Sequence, residues 1–337
     1  MTTNPPQNGP TRTFTASCHC RHSTLSFTVP VSRIPLPVHF CHCSACRHTH
    51  GTLCSIHTRI PRPEVNLSSF TAYESSNRVT RWFCSTCGAH MLDRALEEGE
   101  TEGRWYVAVS VVDAEEEVWD FQKHIFVQST GDGGLATLLG EIHGKQLTLW
   151  KERPNRDKEF EHTGDWIGPS TTSTSPSTNI AESAEHGGNQ EKNILKARCH
   201  CNGISFSISR PRGAETWSGM DPTLLPRDRK KYFAVHDACT TCRFTSSSRI
   251  VSWFFPSRTS ITIAPPWPEH IPYPDDGLFG TAKLYESSDG VRRTFCGVCG
   301  ATVSYWCRER AEMVDFAVGL LEGEGQGVRR EDWLEWR

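Results

Sequence analysis

The chain carries no excess of either charge: 36 Lys and Arg stand against 39 Asp and Glu, a formal net charge of −3. Without a basic field there is nothing to draw in a phosphate backbone, so nucleic acid is not expected as a partner. Long apolar runs are also missing. The longest, at 105–109 and 253–255, fall far short of the ~20 residues that a membrane-spanning helix needs, so no membrane partner is expected. Residues 1–17 are rich in Thr, Pro and Asn and lack an apolar segment, which predicts no signal peptide. A soluble, intracellular chain follows, cytoplasmic with the nucleus as a second compartment. No helical stripe of any length is visible, and only residues 134–139 suggest a short helix. Proline-rich stretches at 60–63 and 264–274 argue further against long helices there. Nothing in the pattern sets an oligomeric state.

Cysteine, by contrast, is abundant, with 15 in 337 residues. In a reducing compartment a dense cysteine set points to metal rather than to disulfides. The length suits two domains of ordinary size. Residues 168–193 have no aromatics and no apolar period, and are expected to be a disordered, Ser/Thr-rich linker. The expected organisation is a tail at 1–12, a first domain at 13–167, the linker, and a second domain at 194–337.

The segments flanking the linker read as copies of one another. The first has Cys18-His19-Cys20, then Cys41-His42-Cys43-Ser44-Ala45-Cys46-Arg47, Tyr73-Glu74-Ser75-Ser76, and Phe83-Cys84-Ser85-Thr86-Cys87-Gly88. The second has Cys199-His200-Cys201, then Cys239-Thr240-Thr241-Cys242-Arg243, Tyr285-Glu286-Ser287-Ser288, and Phe295-Cys296-Gly297-Val298-Cys299-Gly300. Residues 25–29 and 204–208 alternate apolar and polar, as half-buried strands do. Residues 105–109 and 316–318 are further β-prone runs, so the fold class is mostly β. After Val318 the second copy has far less sequence than follows Val109 in the first. Either it closes differently, or its fold is incomplete at the C-terminus.

Zinc takes four ligands in a tetrahedron, and thiolates suit it. Cys18 and Cys20 are paired here with Cys84 and Cys87, and Cys199 and Cys201 with Cys296 and Cys299, as two closed structural sites. Cys41, Cys43 and Cys46 are different, because three thiolates from one segment leave a fourth corner open, as catalytic zinc sites do. Closure by His39, His42, His48 or His50 is the alternative. In the second copy Asp237 stands where Cys41 would be. Asp237, Cys239 and Cys242 either hold a metal still or have lost it. Cys54 and Cys307 are expected to be small buried hydrophobes. Arg47 and Arg243 each follow a triplet, where a cation would lower thiol pKa or hold an anionic substrate, unless they serve as surface ion pairs.

This combined pattern, with Gly51 nearby, resembles the glutathione-dependent formaldehyde-activating family, which includes the domain of centromere protein V. The resemblance covers most of the first copy and less of the second. It implies two tandem Mss4-like zinc-binding domains of coiled antiparallel sheets. It also implies structural zinc at Cys18, Cys20, Cys84 and Cys87, and a catalytic-type zinc at Cys41, Cys43 and Cys46. The implied activity is carbon–sulfur lyase chemistry on S-hydroxymethylglutathione or a similar small thiol adduct, with the first domain as the active unit. Arg47 or Arg81 would contact glutathione carboxylates, and His42, His48 or His50 would carry the proton. The sequence departs from the pattern at Asp237, at Phe244-Thr245-Ser246-Ser247 where Gly51 has no match, and in two extra residues between Cys20 and Leu25. The competing reading is a non-catalytic, zinc-stapled protein-interaction module.

Overall fold

The computed structural model describes residues 9–96, 102–154, 193–263, 271–323 and 327–337. The expected linker lies outside these residues except for Asn193, as do residues 1–8 of the expected tail and 264–270 of the second proline-rich stretch. The protein is mostly β, in two sheet-rich bodies. Among the described residues no helix is long and apolar enough to cross a membrane.

The first body holds an eight-stranded sheet. Its order is Thr148–Leu149, Trp119–Ile125, Leu36–Cys41, Ser55–Ile60, Arg104–Ala108, His90–Ala95, Val79–Cys84, Phe70–Ser76. A smaller sheet joins Thr11–Ser17, Thr24–Pro30 and Glu64–Val65, so β structure begins at Thr11, inside the stretch expected to be tail. The alternation seen in sequence is what builds this sheet: Leu25, Phe27 and Val29 point inward and are buried while their neighbours are not.

The second body repeats the order in a seven-stranded sheet. From one edge it runs Leu334–Trp336, Tyr232–Asp237, Val251–Phe254, Asp315–Ala317, Thr302–Cys307, Val291–Cys296, Ala282–Ser288. The question of its closure has a structural answer. Leu334–Trp336 pairs in parallel with Tyr232–Asp237, as Trp119–Ile125 does with Leu36–Cys41. Three paired residues thus fill the place of the longer strand.

Register also corrects one expected departure. Ser17 pairs with Thr24 and Arg198 with Ser205, so the turns that carry the two Cys-His-Cys motifs have equal length. The apparent two extra residues arose from aligning Leu25 with Ile204, whereas the ladder sets it against Phe206.

The bodies touch through reciprocal contacts. His19 Nδ1 lies 2.6 Å from the Tyr285 hydroxyl, and His200 Nδ1 lies 2.6 Å from that of Tyr73. Each tyrosine of the Tyr-Glu-Ser-Ser motifs therefore reaches the Cys-His-Cys turn of the other body. Phe83 and Phe295 meet edge to face at 6.4 Å. Gly300 needs its left-handed φ of 76°, and a Cβ there would sit 2.6 Å from Phe83 Cγ of the other body. Buried apolar side chains of both bodies form one continuous core.

Two short helices were not foreseen: α1 (Ser44–His50) and α2 (Thr240–Ser246). At seven residues each, they are too short to show a helical stripe. The expected helix at 134–139 is a 3-10 turn, Gly134–Thr137.

Candidate metal centres

Each closed cysteine set comes together from two separate elements. Cys18 and Cys20 lie on the turn after the strand Thr11–Ser17, and Cys84 and Cys87 lie at the end of Val79–Cys84 and on the turn beyond it. Cys20 Sγ is 3.4 Å from Cys18 Sγ and 3.6 Å from Cys84 Sγ. In the second body Cys201 Sγ is 3.5 Å from Cys199 Sγ and 3.4 Å from Cys296 Sγ. Within each set of four, all sulfurs lie within 4.8 Å of one another. Backbone N–H groups turn toward the sulfurs, as from Ser23 to Cys18 and from Cys299 to Cys296. Gly88 and Gly300 hold the left-handed φ that the knuckle requires, 78° and 76°. Each set is able to hold a metal ion.

The triplet is built differently. Cys41 ends the strand Leu36–Cys41, and Cys43 is the N-cap of α1, its sulfur accepting from the Cys46 N–H at 3.4 Å. The three sulfurs lie within 4.8 Å of one another, and among the described residues no fourth side chain joins them. The four histidines weighed for that corner are engaged elsewhere. His39 packs edge-on against Tyr106, and His42 Nε2 meets His124 Nδ1 at 2.9 Å. His48 Nδ1 meets the Arg198 carbonyl at 2.8 Å, and His50 Nδ1 meets the Cys46 carbonyl at 3.0 Å. Arg47 is buried and donates to the His42 carbonyl at 3.3 Å.

Behind the triplet lies a group that sequence reasoning did not single out, apart from Arg81. Arg81 donates Nη2 to Cys46 Sγ at 3.3 Å and Nη1 to Asp93 at 2.6 Å. Hydrogen bonds from Cys41 and Cys43, and then Arg81, hold the Cys46 thiol well below its ordinary range. Burial pushes the Asp93 carboxyl up against the pull of Arg81. His57 approaches Asp93 at 3.6 Å, and His50 stacks on His90 at 4.3 Å. None of His50, His57, His90 and Asp93 is kept at the matching place in the second body, where Ser246, Trp253, Thr302 and Tyr305 stand. A comparison of the two copies from Cys84 and Cys296 onward would have revealed the last of these.

Burial lowers the pKa of His57, His90 and His124 to about 4 each. For a basic group depressed on folding, protons bind the unfolded chain first. Its stabilising contribution is full above the unfolded value near 6.5, and is lost as pH falls toward 4. Nitrogen-15 spectra of the folded protein at pH 5.5 should show these three rings neutral. Imidazolium signals from them at that pH would refute this burial argument.

In the second body Asp237 ends its strand as Cys41 does, and Cys239 caps α2 as Cys43 caps α1. Ser247 takes the left-handed turn of Gly51, with φ 54° against 73°. Asp237, Cys239 and Cys242 also lie within 4.8 Å of one another. Both oxygens of Asp237 are already engaged, one by the Cys239 N–H at 2.6 Å and the other by the Cys242 thiol at 3.0 Å. Cys54 is buried in the core, and Cys307 is buried at the end of its strand.

Comparison with known proteins adds a family. Residues 13–129 match the family described as "Glutathione-dependent formaldehyde-activating enzyme", a span that includes both cysteine sets of the first body. A protein of Talaromyces marneffei named "Putative glutathione-dependent formaldehyde-activating enzyme" is 30% identical over 100 residues, 28% of this chain and 52% of that protein. The chain thus spans about half the length of this curated relative. A crystal structure of a Rhodobacter sphaeroides protein aligns over 42% of this chain and 99% of that one, at 17% identity and a TM-score of 0.26.

Proposed function

We propose that the first body is a zinc-dependent carbon–sulfur lyase that acts on S-hydroxymethylglutathione or a closely similar thiol adduct of formaldehyde. The observation that carries this reading is the three-sulfur cluster of Cys41, Cys43 and Cys46, which no fourth side chain closes among the described residues. It lies within the span that matches the formaldehyde-activating family. The donor set fits zinc: three thiols at close range, one of them already held low in pKa, and no hard oxygen ligand. Zinc bound there would supply positive charge at an open position, favouring the ionised form of a thiol that enters it.

The protein's own groups have narrower tasks. The α1 cap fixes the sulfurs of Cys43 and Cys46 relative to one another. Arg81, itself fixed by Asp93 and by Ser75 at 3.0 Å, holds Cys46 as thiolate. In the cleavage direction the substrate's C–S bond breaks and its electron pair stays on glutathione sulfur. The hydroxyl proton leaves, and formaldehyde departs as the new C=O forms. His50, whose Nδ1 touches the Cys46 carbonyl, is the nearest of the three proposed proton carriers to the thiolates. Arg47 is assigned a structural task, because its donor is spent on the His42 carbonyl.

In this reading the chain holds three zinc ions: one in each closed set and one in the triplet. The Asp237 set is left without a resident ion, since both carboxylate oxygens have partners within the protein. The two bodies are proposed to descend from one duplicated unit, with catalysis kept in the first.

Exchange of carbon-13 formaldehyde between the free and glutathione-bound forms should accelerate in the presence of the zinc-loaded protein, and return to the uncatalysed rate after chelation. Unchanged exchange with fully loaded protein would favour the interaction-module reading instead.

A further inference from the structure

The second body contains an arginine arranged almost as Arg81 is, with one partner missing. Arg81 pairs across the ladder with Tyr73, and Arg293 pairs with Tyr285. Each gives Nε to the serine of its Tyr-Glu-Ser-Ser motif, Ser75 at 3.0 Å and Ser287 at 3.1 Å. Each gives Nη2 to the last cysteine of its triplet, Cys46 at 3.3 Å and Cys242 at 3.4 Å. The remaining nitrogen separates them. Arg81 Nη1 is held by Asp93 at 2.6 Å, while Arg293 Nη1 has no hydrogen-bond partner among the described residues, although Arg293 is only 7% exposed.

The cause is an exchange of two residues across neighbouring strands. In the first body Asp93 faces Tyr106, and in the second Tyr305 faces Asp315. The acid has therefore crossed to the adjacent strand, where Arg310 holds both of its oxygens at 3.0 Å. Tyr305 now stands at the acid's former place, its ring centre 4.8 Å from the Arg293 guanidinium carbon. A guanidinium buried with an unused donor is a strong receptor for a planar anion, because its hydration is already lost.

The Arg293 side chain lines an open cleft of about 650 Å³, whose wall also includes Trp253, Phe255, Leu224 and Val291. We propose that this cleft binds a small carboxylate with an apolar body, the ligand's carboxylate taking on Arg293 the role that Asp93 takes on Arg81. A carboxylate is favoured over a phosphate dianion because Asp237 and Asp315 border the same cleft. The apolar walls take up the remainder of the ligand. The site belongs to the second body and needs no activity at the Cys41 cluster.

The test uses full-length, zinc-loaded protein and hexanoate as the probe, followed by titration calorimetry. Wild-type protein should bind hexanoate with a dissociation constant of about a millimolar or tighter. Tyr305→Asp should weaken binding at least about tenfold, since it returns an internal acid to Arg293 and fills the receptor from within. Arg293→Gln should weaken it as much, by removing the cation. Circular dichroism and zinc content report whether each variant is folded. If Arg293→Gln is not, Tyr305→Asp carries the comparison, since Tyr305 is only half-buried. Hexanoate affinity unchanged in Tyr305→Asp would overturn the proposal. So would the lack of any heat of binding to wild type, or a preference for inorganic phosphate over hexanoate.

Discussion

Cys84→Ser should unfold the first body. Cys84 ends a buried strand of the eight-stranded sheet, and its sulfur lies 3.6 Å from Cys20 on the turn of the smaller sheet. A shared ion at this point ties two sheets whose ligands stand 64 residues apart in the chain. Structural zinc contributes roughly 10–16 kcal/mol of apparent free energy, while whole domains are stable by only about 5–15 kcal/mol. Loss of one ligand therefore removes an amount comparable to the total. The variant is expected to lose one zinc equivalent and its cooperative melting transition for this body, read by circular dichroism and limited proteolysis. A melting temperature within a few degrees of wild type would show that the four sulfurs do not carry the fold.

Cys43→Ser should do the opposite, leaving the fold intact and removing catalysis. Cys43 is the N-cap of α1, and serine is among the best residues for that position. Its hydroxyl can accept from the Cys46 N–H as the thiol does, so the helix start is preserved. What is lost is the third soft ligand of the open cluster. Thiol ionisation and the positioning of the adduct would fail together, which predicts a drop in turnover on the order of a hundredfold or more. Equilibrium unfolding should shift little. If the variant unfolds, the triplet is a structural staple. If turnover persists, the chemistry lies elsewhere.

These two variants divide the cysteines by task, and much of that division was legible from spacing alone. A Cys-x-Cys turn and a Cys-x-x-Cys-Gly knuckle each bring two sulfurs to one point by local geometry. Their pairing needed only the inference that the two motifs flank the same sheet. The strands at 24–30 and 205–209 were visible because one face is buried and the other is not, which writes a period of two into the sequence. What stayed hidden depends on register and on packing between the bodies. Asp93 and His57 are ordinary polar residues in sequence. Only the ladder that sets His90–Ala95 between Val79–Cys84 and Arg104–Ala108 brings Asp93 beside Arg81. The exchange of Asp93 and Tyr106 for Tyr305 and Asp315 is likewise a cross-strand relation, invisible until the strands are paired. The two helices escaped because they are shorter than the window in which periodicity can be read.

The contrast between the bodies follows from the same residues. Both keep the closed cysteine sets and the arginine on the last thiol of the triplet. The first adds buried histidines and an acid behind its sulfurs, whereas the second offers a cleft and an arginine nitrogen without a protein partner. One scaffold thus presents two different chemical surfaces, and the differences are confined to a handful of positions around α1 and α2.

Zinc counted per intact chain by native mass spectrometry, in wild type and in Cys43→Ser, bears most directly on the idea that distant sulfurs converge on common ions. Three ions in wild type and two in the variant are expected, both on folded protein. A chain that stays folded while carrying none would contradict the account at its root.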